Sequence, residues 1–334
     1  MAPSADSVYN SFMLTQLLNS PEPIIRYKTL VNVQGVDPTS AAAQQVQAQI
    51  PSSPIVQALL SDRDAQGRIP LHPYHKWQGA HWVLTCLADT GYPPGDASLL
   101  LLRDQVMDWL FSDKHMEDTT RQTGQNRQVR LHASMEANAI FACLSLGLAD
   151  ERVPALVERL LWAQWGDGGW NCDRKKQADT SSFHESLTPL RALARYASAT
   201  NDTRARQAAE RAAEVFLCRR LYRRRSDGQV IRDSFIQLNY PHYWQYDVLG
   251  GLVAMAEAGF IQDPHCQEAL DLLESKQLPG GGWAAESRHY TVFRKPGESI
   301  HRGSRADWGP TGKTRLNEFV TVEALFVLRM AGRL

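Results

Sequence analysis

Histidine recurs in this chain beside carboxylates and tyrosine, each time just ahead of an apolar run. Glu136 follows His132 at a spacing of four, Glu185 directly follows His184, and Tyr246 and Asp247 follow His242. A histidine within reach of a carboxylate or phenol is equipment for general acid–base catalysis, because imidazole exchanges its proton near neutral pH. The sequence therefore nominates His184, His132 and His242 as acid–base groups. Glu185, Glu136 and Asp247 would orient them, and Tyr246 is a further catalytic candidate. Trp77 and Trp244 lie in the same short groups, where their π faces would shape an apolar substrate or stabilise a cation. His81, Arg130 and Arg288 complete the candidate substrate-binding residues.

Something must hold these groups together, and the helical period points to what. In QGAHWVLTCLADTG, Trp82, Val83, Cys86 and Leu87 form one stripe and Gly91 is the stop. The same design recurs in LHASMEANAIFACLSLG, SSFHESLTPLRALARYA, PHYWQYDVLGGLVAMAEAG and LNEFVTVEALFVLRMAG. Between them lie segments richer in Arg, Glu and Gln, as expected of helices with one wet face. With IIRYKTLVNV as a first member, the apolar segments number six, and they read as inner helices alternating with outer ones. They begin near His75, His132, Ser182 and His242, roughly 50–60 residues apart, the period of a helical-hairpin array. Such hairpins cannot bury their faces alone and must stack or close. The histidines and carboxylates fall in the predicted first turns. Acidic residues there gain about 0.3–1 kcal/mol from the helix dipole without any function, but a protonated histidine is disfavoured, so the histidines need another explanation.

Two predicted outer helices end alike, in RLLWAQWGDGGW (Arg159 to Trp170) and LLESKQLPGGGW (Leu272 to Trp283). Shorter versions stand at Ser61 to Arg68 and Arg223 to Val230. The pattern resembles the QW repeat of squalene and oxidosqualene cyclases and the GG repeat of protein prenyltransferase β subunits. The resemblance implies an all-α fold, a single (α/α)6 toroid over residues 1–334, with the N-terminal turns of the inner helices lining a central cavity. Prenyltransferases also carry a zinc-binding histidine at an inner-helix start after such a turn, matched loosely here by His184 with Asp179 in the preceding loop. Their other ligands come from a DxC pattern that this sequence lacks. Cys172, Asp173 and His184 offer sulfur, oxygen and nitrogen at a spacing unlike standard zinc signatures, so zinc through that set is the alternative to the expectation that no metal or cofactor is required. The DxDD and DDxxD motifs of terpenoid cyclases are missing too, as are GxSxG, P-loop and GxGxxG patterns.

Residues at about 286–316 form the longest irregular stretch, rich in Gly, Arg, His and aromatics, and are expected to act as a loop or lid. Charges balance at 36 against 36, which gives no field to recruit nucleic acid or an anionic surface. The Arg219 to Arg225 run is expected at a helix end, where cations meet the dipole. Five widely spaced cysteines without a CxxC pair argue for a reducing compartment, and no apolar run approaches the ~20 residues of a membrane span. With no basic and apolar leader in MAPSADSVYNSF, the expectation is a cytoplasmic protein. The functional expectation is a small-molecule enzyme of lyase, isomerase or cyclase type. It would act on a small hydrophobic, terpenoid-like substrate by acid–base chemistry in an apolar, aromatic-lined cavity. The alternatives are a polysaccharide-lyase-like enzyme and a non-catalytic, prenyltransferase-like binding protein. The oligomeric state is not legible in the sequence.

Overall fold

The computed structural model describes the backbone of residues 5–120, 128–173, 175, 177–295 and 298–334, and the side chains of these except 5–11 and 118–120. Among the described residues the chain is all-α but for one pair of two-residue strands. The helices are α1 (Ala5–Leu18), α2 (Pro23–Lys28, continued by a π turn at Thr29–Val33), α3 (Ala41–Gln47), α4 (Pro54–Leu60), α5 (Ala80–Thr90), α6 (Leu100–Leu110), α7 (Asp113–Thr120), α8 (Ala133–Ser145), α9 (Arg152–Ala163), α10 (Phe183–Thr200), α11 (Thr203–Leu217), α12 (Val248–Ala258), α13 (Gln267–Ser275) and α14 (Glu318–Met330). None is long and apolar enough to cross a membrane.

The apolar helices pack on one another in a defined succession. α5 packs on α8, α8 on α10, α10 on α12, α12 on α14, and α14 on α2 and its π turn. Between α2 and α5 the contact is Tyr27 against Gly91: a Cβ on that glycine would fall 2.5 Å from the tyrosine ring. Gly91 has φ +76°, so it serves both the left-handed stop of α5 and this close approach. The amphipathic α6, α9, α11 and α13 lie between these helices in the chain and pack against them, α6 on α5, α9 on α8, α11 on α10 and α13 on α12.

All four repeat positions carry the same kind of turn. The Trp165 N–H donates to the Gly169 carbonyl at 2.8 Å, and the Gly168 N–H returns to Trp165 at 3.0 Å. Leu278 with Gly282 and Gly281, Asp64 with Arg68 and Gly67, and Arg224 with Gln229 and Gly228 repeat it, the last with one extra residue. Gly67, Gly168, Gly228 and Gly281 all have positive φ, which is why the motif ends in glycine. Trp170 and Trp283 are fully buried, and each indole N–H donates to a carbonyl ten residues earlier, Leu160 at 2.9 Å and Leu273 at 2.7 Å. These tryptophans lock the turn back onto the helix before it. Gln164 ties the turn to the next outer segment, donating to the carbonyls of Gly168 and of Ala208 in α11.

Two of the apolar helices, α5 and α12, start later than the sequence suggests. His75 to Gly79 and His242 to Tyr246 precede them, and Asp247 is the N-cap of α12, accepting from the Gly250 N–H at 2.7 Å. Capping explains the shift in α12: a carboxylate that satisfies a free first-turn N–H fixes the start at its own position. Described residues of the 286–316 stretch are tied to one another and to the segment before α5. Strands β1 (Thr291–Val292) and β2 (Gly303–Ser304) pair in parallel within it. The Trp77 N–H donates to Gly303, the Trp77 indole to His289, and Gln78 to Ile300. The arginine run follows α11 as expected, with Arg219 donating to the Val215 carbonyl and Arg220 and Arg223 paired to Glu268.

Candidate functional site

Two groups of ionisable residues stand out, one lining a pair of adjoining cavities between the apolar helices and one at the N-terminal ends of α8 and α10. The first was legible only in part. A cavity of about 570 Å³ lies at the C-terminal halves of the apolar helices, lined by Tyr27, Lys28, Asp89, Phe141, Arg191, Arg195, Val253, Glu257, Glu323 and Phe326 among others. Every apolar helix contributes to it. The aromatic residues Trp77, Tyr243, Tyr290 and Trp308, in or beside the segments ahead of these helices, are all buried. Trp77 stacks on Tyr243 with ring centroids 4.1 Å apart.

The wall of the large cavity carries a set of ion pairs. Arg191 bridges Asp89 at 2.8 Å and Glu257 at 2.5 Å, and Lys28 reaches Glu323 at 3.4 Å. Beside them a cavity of about 20 Å³, room for a water or two, is lined by Asn138, Thr188, Tyr240, His242, Tyr243 and Trp244. Asp89, Arg191, Val253 and Glu323 line both spaces. Buried here without a hydrogen-bond partner are Thr188 Oγ1, His242 Nδ1, Tyr243 Oη and Trp244 Nε1.

His242 is the centre of this group. Its Nε2 lies 3.0 Å from Glu323 Oε2 and its Nδ1 3.5 Å from Asp247 Oδ1. Burial opposes the charged ring, but the two carboxylates outweigh it and hold the imidazole up to about 9. Glu323 shows the converse: burial would raise it, yet Lys28 and His242 bring it down to about 2. The Asp247 carboxyl is pushed up by its burial, opposed by His242 and by the N–H groups it accepts from. Glycine at position 250 makes room for the ring, since a Cβ there would lie 3.1 Å from His242 Nδ1.

The second group joins α8 to α10. His132 is the N-cap residue of α8, and its Nδ1 lies 3.6 Å from Glu185 Oε1. The Ser134 N–H donates to Glu185 Oε2 at 2.9 Å. Burial would raise the Glu185 carboxyl, but His132 and Ser134 hold it below its usual value. Cys172 lies against the same carboxylate, and burial together with Glu185 pushes its thiol up to about 12.

The other nominated residues lie elsewhere. Glu136 does not face His132: it is fully buried, paired to Arg159 at 2.7 Å and His115 at 3.2 Å, because His132 precedes the helix and turns to Glu185. Tyr246 does not share a face with His242: it precedes α12, its hydroxyl donates to the Leu221 carbonyl at 2.6 Å, and its ring packs on Phe183, Phe216 and Phe235. His184 sits against Trp244 and Phe235, outside both cavities. Burial lowers its imidazole to about 4, beyond what Glu185 restores, so it is neutral at pH 7 rather than poised there. His81 is a core histidine between Tyr74, Trp82 and Trp109, brought down to about 3 by burial. Arg130 stacks over Trp165, and Arg288 is exposed beside Tyr290. Asp173 accepts from the Lys175 N–H in its own loop, so Cys172, Asp173 and His184 do not converge.

Sequence reasoning missed Lys28, Asp89, Arg191, Glu257 and Glu323. The available signal was a charge standing alone in an apolar helix, as in VTVEALFVL around Glu323. No family model matches the sequence, and comparison with curated proteins found no match.

Proposed function

We propose that the helices close into one (α/α)6 toroid and that the chain is a small-molecule enzyme of lyase, isomerase or cyclase type working by proton transfer inside the ring. The succession from α5 through α14 back to α2, closed by Tyr27 on Gly91, supports the ring. The observation that carries the chemistry is the His242–Glu323 pair. A ring that holds its proton at neutral pH is hydrogen-bonded to a carboxylate that lines both cavities.

A substrate in the large cavity meets Glu323 without entering the small one. Its apolar body packs on Tyr27, Phe141, Val253 and Phe326. Bound substrate draws Lys28 away from Glu323, which lifts the carboxylate from its depressed range; Glu323 then takes a proton from substrate carbon while its bond to His242 Nε2 holds it in place, and Lys28 and Arg191 stabilise the negative charge that develops. Lys28 and Arg191 are themselves paired to carboxylates, so the cavity has little surplus positive charge for an acidic sugar polymer.

The test is solvent deuterium exchange into a panel of isoprenoid and other apolar olefin and carbonyl compounds, read by mass spectrometry. A compound that exchanges with the wild type should do so about 10²–10⁴ times more slowly with His242→Gln. Unchanged exchange by that variant, with the fold intact, removes His242 from the mechanism. A panel that binds in the cavity without exchange or turnover points to the non-catalytic reading.

A further inference from the structure

We propose that His132 Nδ1, Cys172 Sγ and Glu185 Oε1 form a mononuclear zinc-type metal site with one coordination position left open. It is independent of the chemistry at His242, and it departs from the sequence-based expectation of no metal and from the Cys172, Asp173 and His184 set.

The three donor atoms all lie within 4.8 Å of one another, and the His132–Glu185 separation is 3.6 Å. Tetrahedral zinc with bonds of about 2.0–2.3 Å sets its ligands roughly 3.3–3.8 Å apart, so the widest separation needs to close by only about 1 Å. The donors come from three separate segments. His132 is fixed at the start of α8 and Glu185 in the first turn of α10. Cys172 stands two residues beyond Trp170, whose carbonyl accepts from the Ser182 N–H at 2.8 Å and so ties the repeat turn to the start of α10.

The carboxylate is oriented as well as placed. One oxygen, Oε2, is occupied by the Ser134 N–H, which leaves Oε1 turned toward His132. A hydrogen-bonded ligand carboxylate is the usual outer support of a metal site. One nitrogen, one sulfur and one oxygen form a set that suits zinc or cobalt and is foreign to magnesium or calcium. With His132 46% exposed at its side chain, the missing fourth position lies on the solvent side, where water or an oxygen donor of a ligand completes the shell. A sequence scan does not see this set because its members come from three segments, with neither a CxxC nor an HxxxH spacing.

Tag-free protein is stripped with a chelator and titrated with cobalt(II), with zinc then used to displace it. The expected result is one equivalent of cobalt with a thiolate-to-cobalt charge-transfer band in the near ultraviolet and the strong visible bands of a four-coordinate ion. Cys172→Ser should abolish the charge-transfer band. His132→Ala should weaken binding by about tenfold or more, measured at a temperature where the metal-free variant is still folded. Asp173→Asn should bind as the wild type does. A wild type that takes up no cobalt, a Cys172→Ser protein that keeps the band, or an Asp173→Asn protein that loses the metal overturns the assignment.

Discussion

Replacing His242 by glutamine should remove a specific part of the protein's pH dependence. The histidine stands at about 9 in the folded protein against an ordinary value of 6.5. A group raised on folding contributes stability that is fully present below the unfolded value and is lost as pH rises through the folded one. For this pair of values, the loss between pH 6 and pH 8.5 comes to roughly 2 kcal/mol, from 1.36 kcal/mol per pKa unit. Above that window the buried thiols of Cys86 and Cys143, raised on folding, add their own alkaline loss, so the measurement stops at pH 8.5. The assay is urea denaturation at fixed ionic strength across pH 6 to 8.5, for wild type and His242→Gln. Glutamine keeps a donor for Glu323 but has no titrating proton. The stability difference between wild type and variant should shrink by about 2 kcal/mol from pH 6 to 8.5, because the opposing rise from the depressed His81 and His184 is common to both proteins. If that difference does not change with pH, the proton is not held on His242, and the acid–base reading of the small cavity fails with it.

Two further outcomes follow from the same packing. Trp170→Ala and Trp283→Ala should each lower unfolding stability by about 3–5 kcal/mol, since each removes a fully buried indole and the bond to its carbonyl ten residues back; equal denaturation midpoints for variant and wild type would contradict the locking role. On the acid side, His81 is buried neutral and brought down to about 3, so lowering the pH from 6.5 to 4.5 should cost roughly 2 kcal/mol through this residue, because the unfolded chain takes up the proton first. His81→Gln should flatten that limb in the same urea titration, and an unchanged acid limb would mean that the folded ring protonates as freely as the unfolded one.

The amino-acid sequence determined the helical class and the punctuation of the chain, because those signals are local. Periodic apolar residues mark a helix wherever they occur, and a glycine that must take positive φ marks its own turn, which is why all four repeat positions were readable. His242 was readable too, as a histidine beside a carboxylate ahead of an apolar helix. Its partner was not. Glu323 lies 81 residues away on α14, and only packing α12 against α14 makes the pair. The same holds for Lys28 with Glu323, and for Arg191 between Asp89 and Glu257. His132 and Glu136, four apart, were expected to meet on one face, but the helix begins after the histidine, and Glu185 from α10 takes Glu136's place. Helix starts depend on which side chain caps the free N–H groups, and partners depend on which helices become neighbours. Both are settled by tertiary packing, where burying a charge selects whichever opposite charge the fold brings within reach.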